Sequence, residues 1–333
     1  MTVLTMPVDS GHAAAPRPVP WRNMIWVTWR QHRAMLISVA SVLAAAAVFL
    51  VAMGLKIHSS FNALMACHPA AAPLPVGSRC GQLEISFNQD DWPVGDTVLI
   101  FMNLAPALLG AFTGPAVLAR ELESGTFRYA WTQGIGRVRW TVVKLVLLAI
   151  PVTVMAWAFS QLYAWFFTPF LTTENMTVLA ATVFTTRGIV FAAWVLVAFT
   201  IGAFLGMLIR RIIPAMAATL GVYLGLNLLA WLILRENYPV AVDTANARLF
   251  GLQASPDSPW ILKTWTTGNT PWWRYIPVSR FWPMQFIEAG WLLVLSALLI
   301  AATVWLVRRR AALPGVPVVI TASGAERLMV GRV

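Results

Sequence analysis

The sequence predicts an all-α membrane protein of six transmembrane helices, with an interfacial helix before the first and a Trp-rich outer segment between the fifth and sixth. Hydrophobic residues make up 59% of the 333 residues and charged residues only 11%, whereas soluble domains carry about 25% charged residues. Six apolar runs each approach the roughly 20 residues that a membrane-spanning helix needs, and none alternates like a barrel strand. These runs, named spans 1 to 6, lie near 34–55, 97–118, 141–167, 188–209, 212–234 and 286–307.

The distribution of Lys and Arg orients the spans. With the N-terminus inside, the inner segments hold 16 of the 24 Lys and Arg residues but only 4 of the 13 Asp and Glu residues. Because basic residues are enriched in cytoplasmic loops, we expect a multi-pass protein of the cell membrane with both termini in the cytoplasm. No basic domain stands apart from the spans, so nucleic acid is not an expected partner.

The segment before span 1 has two parts. Residues 1–20 are rich in Ala and Pro and are expected to form a disordered tail. In 21–33, helical spacing places apolar residues on one side and arginines on the other, which predicts a helix lying in the cytoplasmic interface. The alternative is a plain extension of span 1 whose arginines reach the headgroups. The apolar side holds Trp21, Met24, Ile25, Thr28 and Trp29, and the opposite side holds Arg22, Arg30 and Arg33.

Two outer segments are long enough to fold. The loop at 56–96 is expected to form a small ordered cap that contains Cys67 and Cys80. The outside of a cell envelope is oxidising and the loop between them closes easily, so we expect a disulfide, with two free thiols as the alternative. The segment at 235–285 holds five tryptophans and six prolines, and Trp prefers the membrane interface. We expect it to lie against the outer leaflet as short half-helices.

Three spacings of small residues occur within the spans. A Gly-xxx-Gly spacing on a membrane helix allows the backbone of another helix to approach closely. Each of the three therefore marks a candidate helix contact. They are Gly110 with Gly114, Gly202 with Gly206, and Gly221 with Gly225.

The sequence lacks the motifs of common membrane enzymes. It has no HExxH or other zinc spacing, no GxSxG elbow and no GxxxxGK[ST] phosphate loop. We therefore expect no catalytic, metal or cofactor residues on this chain, and any ATP should be bound by a separate chain. The nearly uncharged spans argue against a proton relay and favour an amphipathic or apolar cargo. The residues expected along a substrate pathway are Asn103, Phe112, Tyr223 and Asn227.

The connection between spans 2 and 3 concentrates charged, aromatic and glycine residues, reading ARELESGTFRYAWTQGIGRVRWTVVK over 119–144. Ser124 or Thr126 can cap a short helix near 126–132, after a turn that Gly125 permits. Aromatic side chains exposed on this helix favour a protein partner. The alternative is a loop whose aromatic residues rest in the lipid headgroups. The exposed aromatic residues would be Phe127, Tyr129 and Trp131.

The same stretch resembles a segment of type-2 ABC exporter permeases, which reads E-x-E-x-G-T, then a short apolar helix, a turn, an Arg and a Lys. These permeases usually have a Pro in the turn, where this chain has Gln133-Gly134. The six spans, the interfacial helix and the large outer segment before span 6 also fit the family. The matching residues are Glu121, Glu123, Gly125, Thr126, Arg137 and Lys144.

The resemblance implies that 121–137 is a cytoplasmic coupling region that docks into an ATPase subunit. It also implies a complex with two ATPase copies, which would carry ATP and Mg, and with a second permease copy or a paralogue, embedded in membrane lipid. The coupling residues are then expected to be Glu121, Glu123, Gly125, Thr126, Phe127, Tyr129, Trp131 and Arg137.

The function that this resemblance implies is the membrane-spanning permease subunit of an ATP-driven ABC exporter. The permease domain would cover 21–310, followed by a cytoplasmic tail over 311–333. The alternative is an ATP-independent membrane sensor or assembly protein that uses the same cytoplasmic loop for docking.

Overall fold

The helical membrane domain has the predicted number of spans. The structure is a computed structural model that describes residues 20–67, 77–124, 136–173, 176–235, 238, 241–245, 259–268 and 270–311. Among these residues, six helices are long and apolar enough to cross a membrane. This confirms the fold class. The predicted tails lie outside the described residues, apart from Pro20 and Ala311.

The helices extend beyond the apolar runs at several ends. Helix Arg79–Ser86 and a π-helical turn, Phe87–Asp91, lead directly into span 2. A second π-helical turn, Ala230–Leu234, continues span 5. The short helices Ala181–Phe184 and Val278–Arg280 precede spans 4 and 6. The spans are Trp21–Ala66, Trp92–Ser124, Arg137–Thr173, Gly188–Ile209, Ile212–Leu229 and Phe281–Ala311.

Span 1 is one continuous helix of 46 residues. The predicted interfacial segment 21–33 is not a separate element. It is the first part of span 1, in agreement with the alternative, which was a plain extension of that span. The physical reason is that no Gly or Pro occurs between Trp21 and Met53, so nothing in the sequence breaks the helix there. Met24 and Thr28 of the predicted apolar side are buried, whereas Trp21 and Trp29 are exposed.

Span 4 lies at the centre of the helical bundle. It contacts spans 2, 3, 5 and 6 and is buried along most of its length. Its own large aromatic side chains Phe191, Trp194 and Phe199 are all almost fully buried. Span 1, by contrast, packs mainly against span 3. A helix that is apolar on all sides is suited to such a central position.

Two of the three glycine spacings meet each other where spans 2 and 4 cross. A Cβ added to Gly110 would lie 2.3 Å from the Cβ of Ala198, and one added to Gly202 would lie 2.8 Å from the carbonyl oxygen of Gly110. Only glycine permits this approach of two backbones. The third pair, Gly221 and Gly225 on span 5, differs, since no described atom lies within 4 Å of a Cβ added at either position.

The first outer loop is built from helical extensions of spans 1 and 2. Cys67 and Cys80 form a disulfide with a Cα–Cα distance of 5.6 Å. Ser78 caps the helix Arg79–Ser86, because its Oγ accepts a hydrogen bond from the Gly81 N–H at 3.0 Å. Lys56 of span 1 donates to the buried Asp91 carboxylate at 3.0 Å. The disulfide and the ion pair hold the two extensions together.

In its described part, the outer segment between spans 5 and 6 forms a three-stranded antiparallel sheet and not the expected half-helices. The strands are β1 (Val242–Thr244), β2 (Trp260–Thr267) and β3 (Thr270–Ile276), in the order β1-β3-β2. Thr267 pairs with Thr270 at the end of the hairpin that β2 and β3 form. Gly268 has φ of +62°, a value that favours glycine. Alternating β-branched and aromatic residues favour strands here.

Candidate coupling site at the inner ends of spans 2 and 3

The predicted coupling region is described at its two ends. Gly125, Thr126, Phe127, Tyr129 and Trp131 lie outside the described residues, as does the helix predicted near 126–132. The structure describes Glu121 and Glu123 at the end of span 2, and Arg137 and Lys144 at the start of span 3.

Glu121 forms an ion pair with Lys144. Lys144 is only 1% exposed, and its Nζ lies 4.1 Å from the centre of the Trp140 ring. An ammonium at this depth needs an opposite charge, because an unpaired buried charge is strongly destabilising. The first acidic residue of the family-like motif and its final Lys therefore join the end of span 2 to the start of span 3.

Glu123 contacts the start of span 5. Its Oε2 accepts a hydrogen bond from the Ile212 N–H at 3.2 Å, and Ile212 is the first residue of that helix. A carboxylate at a helix N-terminus satisfies a free N–H and interacts favourably with the helix dipole. Arg210, with φ of +60°, ends span 4 and turns the chain towards this contact.

The start of span 3 also contacts the start of span 1. The Arg139 guanidinium lies 3.9 Å from the centre of the Trp21 ring, a cation–π contact. In the first turn of span 3, the Arg137 carbonyl oxygen accepts a hydrogen bond from Thr141 Oγ1 at 3.0 Å. Arg137 therefore begins the helix, while Arg139 reaches the neighbouring span.

These contacts converge on the two ends of the undescribed connection. We name Trp21, Glu121, Glu123, Arg139 and Lys144 the inner bracket. It joins the inner ends of spans 1, 2, 3 and 5. A displacement of the connection would therefore act on span 5 through Glu123 and on span 1 through Arg139. Among the described residues, no group of three or more His, Cys, Asp or Glu is placed to hold a metal ion.

A second polar cluster lies near the opposite ends of spans 4, 5 and 6, which the charges predict to be the outer ends. The Glu288 carboxylate on span 6 is 0% exposed and accepts from Arg235 at 2.7 and 3.0 Å. Trp194 Nε1 donates to the same carboxylate at 2.8 Å, and Tyr238 donates at 3.3 Å. Trp291 Nε1 donates to Tyr238 Oη at 3.0 Å. We name these five residues the outer network.

Another side chain holds span 4 to span 6 beside the outer network. Gln285 Oε1 accepts from the Val190 N–H at 3.1 Å, and its Nε2 donates to the Arg187 carbonyl oxygen at 3.2 Å. Gly188, with φ of +65°, lies against this amide. The first turn of a helix leaves N–H groups free, and Gln285 satisfies one of them for span 4.

The outer network was not predicted from the sequence. A signal was present, because span 6 holds a single acidic residue within its apolar run and Arg235 ends span 5. Ionisable residues within spans usually pair with each other, which would have suggested these two.

Comparison with protein families identifies the chain. Residues 40–235 match the family model described as ABC-2 membrane transporter related. The chain belongs to this family. The match begins within span 1, covers spans 2 to 5 and the inner bracket from span 2 onwards, and ends before the outer sheet and span 6. No match was found among curated proteins or among solved structures.

Membership of the ABC-2 family confirms the resemblance at its coarser level. Proteins of this kind are the membrane permease components of ABC transporters. These components are not themselves catalytic and generally work with an ATPase partner. The chain is accordingly a multi-pass membrane protein of a permease family.

The four residues expected along a substrate pathway occupy different environments in this ABC-2 chain. Asn103 joins span 2 to the short helix before span 4, since its Nδ2 donates to the Thr182 carbonyl oxygen at 3.2 Å and its Oδ1 accepts from Thr185 at 3.0 Å. Phe112 is 62% exposed on span 2. Tyr223 is buried against Trp194, with ring centres 5.4 Å apart, and hydrogen-bonds the Asn227 side chain.

An apolar cavity of about 350 Å³ opens between spans 1 and 2, with Phe159 of span 3 also in its lining. Phe49 and Phe101 line it from the first two spans, and Leu108 continues the lining towards Phe112. Its walls carry almost no polar atoms, so it suits a hydrocarbon chain better than a charged or hydroxyl-rich molecule.

Proposed function

We propose that this chain is the membrane-spanning permease subunit of an ATP-driven ABC exporter, and that it couples to a separate ATPase subunit through the connection between spans 2 and 3. The observation that carries the proposal is the inner bracket. Residues of the family-like motif, Glu121 and Glu123, hold the end of span 2 to spans 3 and 5. The connection is therefore attached to the helices that a transport cycle would have to move.

Energy would enter through the connection. ATP and Mg bound by two ATPase subunits would bring those subunits together, and the connection docked on them would be displaced. Glu123 would then pull on the N-terminus of span 5, while Arg139 and Trp21 would pass the motion to span 1. The chain itself would supply the pathway and no catalytic group.

The pathway would lie between this chain and a second permease copy or a paralogue. Span 5 supports this arrangement, because Gly221, Gly225, Val222 and Leu224 are open on its surface within the described part of the chain. Small residues on an exposed membrane helix allow a second helix to pack closely. The cavity between spans 1 and 2 supports an amphipathic or apolar cargo.

The orientation proposed from the charges has a direct test. Cysteines introduced near Arg128, Arg210 and Arg310 should react with a membrane-impermeant reagent only from the inside. Cysteines near Asp90 and Asp257 should react only from the outside. Labelling of Asp90 and Arg210 positions from the same side would contradict both the topology and the coupling proposal.

Coupling is tested by truncating the aromatic residues of the connection. A buried aromatic anchor in a protein interface contributes about 2 kcal/mol or more, so Trp131→Ala or Phe127→Ala should weaken ATPase binding by about 30-fold. The tagged full-length chain would be purified in mild detergent from its native host. Co-purified nucleotide-binding chain would be quantified by mass spectrometry, followed by cargo-stimulated ATP hydrolysis.

Trp305→Ala provides a matched control, because Trp305 is a 49% exposed indole near the inner end of span 6 and is not part of the connection in sequence. It should leave the amount of ATPase unchanged. Wild-type ATPase recovery and hydrolysis for Trp131→Ala would contradict the proposal. Recovery of a partner without nucleotide-binding activity would instead support the sensor or assembly function.

A further inference from the structure

One face of the outer sheet combines basic and aromatic side chains. Asp243, Arg274 and Lys263 lie directly opposite one another across the three strands. Two residues nearer the hairpin turn, and so on the same face, Trp265 pairs with Trp272. Residues directly opposite on paired strands point to the same side of a sheet, so these five side chains share one face, which we name the outer platform.

The two indoles of the outer platform lie nearly parallel. Their ring centres are 6.4 Å apart and their planes differ by 13°. The Arg274 guanidinium lies 5.9 Å from the centre of the Trp265 ring. A shallow cavity of about 370 Å³ is lined by Lys263, Trp265 and Arg274. The platform therefore presents a flat aromatic surface beside two cationic groups.

The charges of the outer platform leave one positive charge in excess. Arg274 donates to both Asp243 oxygens at 2.7 and 2.9 Å. These hydrogen bonds lower the pKa of Asp243, so the carboxylate stays ionised and is fully engaged by the guanidinium. Lys263 is exposed, and within the described parts of the chain no acidic residue pairs with it. Its ammonium is available to an external anion.

The outer platform is close to the membrane. β3 ends at the fully buried Ile276, and Val278–Arg280 leads straight into span 6. Arg274 is seven residues from Phe281, which even a fully extended chain places within about 25 Å of the start of span 6. Trp282, on the first turn of that span, is 57% exposed. The sheet therefore lies near the headgroups of the outer leaflet.

We propose that the outer platform binds the phosphate of an anionic phospholipid headgroup in the outer leaflet. Lys263 would meet the phosphate, with Arg274 beside it, while Trp265 and Trp272 would rest on the glycerol and upper acyl carbons. Trp is favoured at this depth of a bilayer, and a basic residue near an anionic membrane surface contributes about 1 kcal/mol. A phospholipid provides an anion and apolar carbon together, whereas a free phosphate ion offers nothing to the indoles.

The experiment places a fluorescent probe on each face of β2 in the full-length protein. Thr267→Cys lies on the platform face and Thr264→Cys on the opposite face, since Thr267 and Lys263 are four residues apart and Thr264 pairs with Trp273. Both positions are exposed, and Cys67 and Cys80 are already joined. Nanodiscs would contain phosphatidylcholine with increasing phosphatidylglycerol, and a small fraction of lipid with a quenching headgroup.

Quenching at position 267 should be at least about twofold stronger with phosphatidylglycerol than without it, and quenching at position 264 should not change. Lys263→Gln should raise the phosphatidylglycerol fraction needed for half-maximal quenching by about fivefold, the equivalent of about 1 kcal/mol. Trp265→Ala should reduce quenching in all lipid mixtures.

Three outcomes would overturn the proposal. The first is equal quenching at positions 264 and 267, and the second is no dependence on phosphatidylglycerol in the wild-type chain. The third is a response of the 267 probe to inorganic phosphate alone in phosphatidylcholine nanodiscs, because this would identify a free-anion site. None of these measurements depends on an ATPase, so the result is independent of the proposed coupling function.

Discussion

The inner bracket and the outer network both connect helices through charged side chains, but their exposure differs. In the outer network, the Glu288 carboxylate and the Arg235 guanidinium are almost completely buried and are surrounded by hydrogen bonds from Trp194 and Tyr238. In the inner bracket, Glu121 is partly exposed and Glu123 is exposed. The Glu288 carboxylate of the outer network has no water to replace a lost contact, whereas water can reach the Glu121 and Glu123 carboxylates of the inner bracket.

The two clusters therefore differ in how easily their contacts can be broken. A buried ion pair is costly to break from one side, because the remaining charge has no solvent. The outer network therefore fixes the outer ends of spans 4, 5 and 6 to one another. Glu123 can exchange its contact with Ile212 for water at lower cost, so the inner end of span 5 is the end that can respond to a displaced connection.

The largest effect should come from removing one partner of the outer network. Glu288→Ala leaves the Arg235 guanidinium buried without a carboxylate and should lower the free energy of unfolding by about 3–5 kcal/mol. Thermal unfolding of the purified protein in one detergent measures this. The double variant Glu288→Ala with Arg235→Met should recover much of the loss, since no charge stays buried. A single variant as stable as wild type would show that the cluster does not hold these spans.

An intermediate effect is expected for Glu121→Gln. The Lys144 ammonium stays buried and loses its counter-charge, but the substituted amide keeps an oxygen that can accept its hydrogen bond, so the cost should be below the roughly 3–5 kcal/mol of an unpaired buried charge. Thermal unfolding in the same detergent gives the comparison with Glu288→Ala. The order of the two variants is the critical result. If Glu121→Gln were the more damaging change, the contrast between a buried outer end and a more accessible inner end would be wrong.

A smaller loss of stability is expected for Glu123→Ala. Removing a side chain that caps a helix costs about 1 kcal/mol, because the Ile212 N–H then bonds to water. Amide hydrogen exchange at 212–215 should quicken while exchange in span 4 stays unchanged. Glu123→Gln keeps a hydrogen-bond acceptor and serves as the control. Under the proposed function, Glu123→Ala should also reduce transport per ATP hydrolysed more than it reduces stability.

The smallest effect concerns the exposed pair of the outer sheet. Hydrogen bonds from Arg274 lower the pKa of Asp243. A carboxyl group whose pKa is lowered by folding stabilises the folded state above its ordinary pKa, and this contribution disappears as the pH falls below about 4. The protection of the β1 and β3 amides, corrected for the intrinsic pH dependence of amide exchange, should therefore decrease slightly at acidic pH. Asp243→Asn should remove this pH dependence, and a dependence that persisted would assign it to another group.

The sequence predicted the elements that local patterns define. Spans 4 and 5 are bounded at 188–209 and 212–234, because Arg210 and Arg211 interrupt two long apolar runs. The exposure of the first segment of span 1 was less predictable. Helical spacing places Trp21 beside Met24, but Trp21 stays exposed because only Met24 packs on the protein interior.

Features that depend on distant residues were the ones missed. Glu288 gains its partner from a position 53 residues earlier in the chain, and no local pattern reports such a pairing. The contact of Glu123 with the N-terminus of span 5 likewise joins residues far apart in the chain. The hairpin that β2 and β3 form did have a local signal in the sequence Gly268-Asn269, which the tryptophans and prolines of the outer segment obscured.

The position of Arg235 and Glu288 in the chain has a consequence for biosynthesis. A ribosome adds about 5–20 residues per second, so the 53 residues between them correspond to a delay of about 3 to 10 s. During this interval span 6 is not yet available, and Arg235 can remain among the outer headgroups through its long side chain. Insertion of the last helix then supplies the carboxylate and completes the outer end of span 5. A chain that ends before Phe281 would therefore keep an unneutralised arginine at the membrane surface.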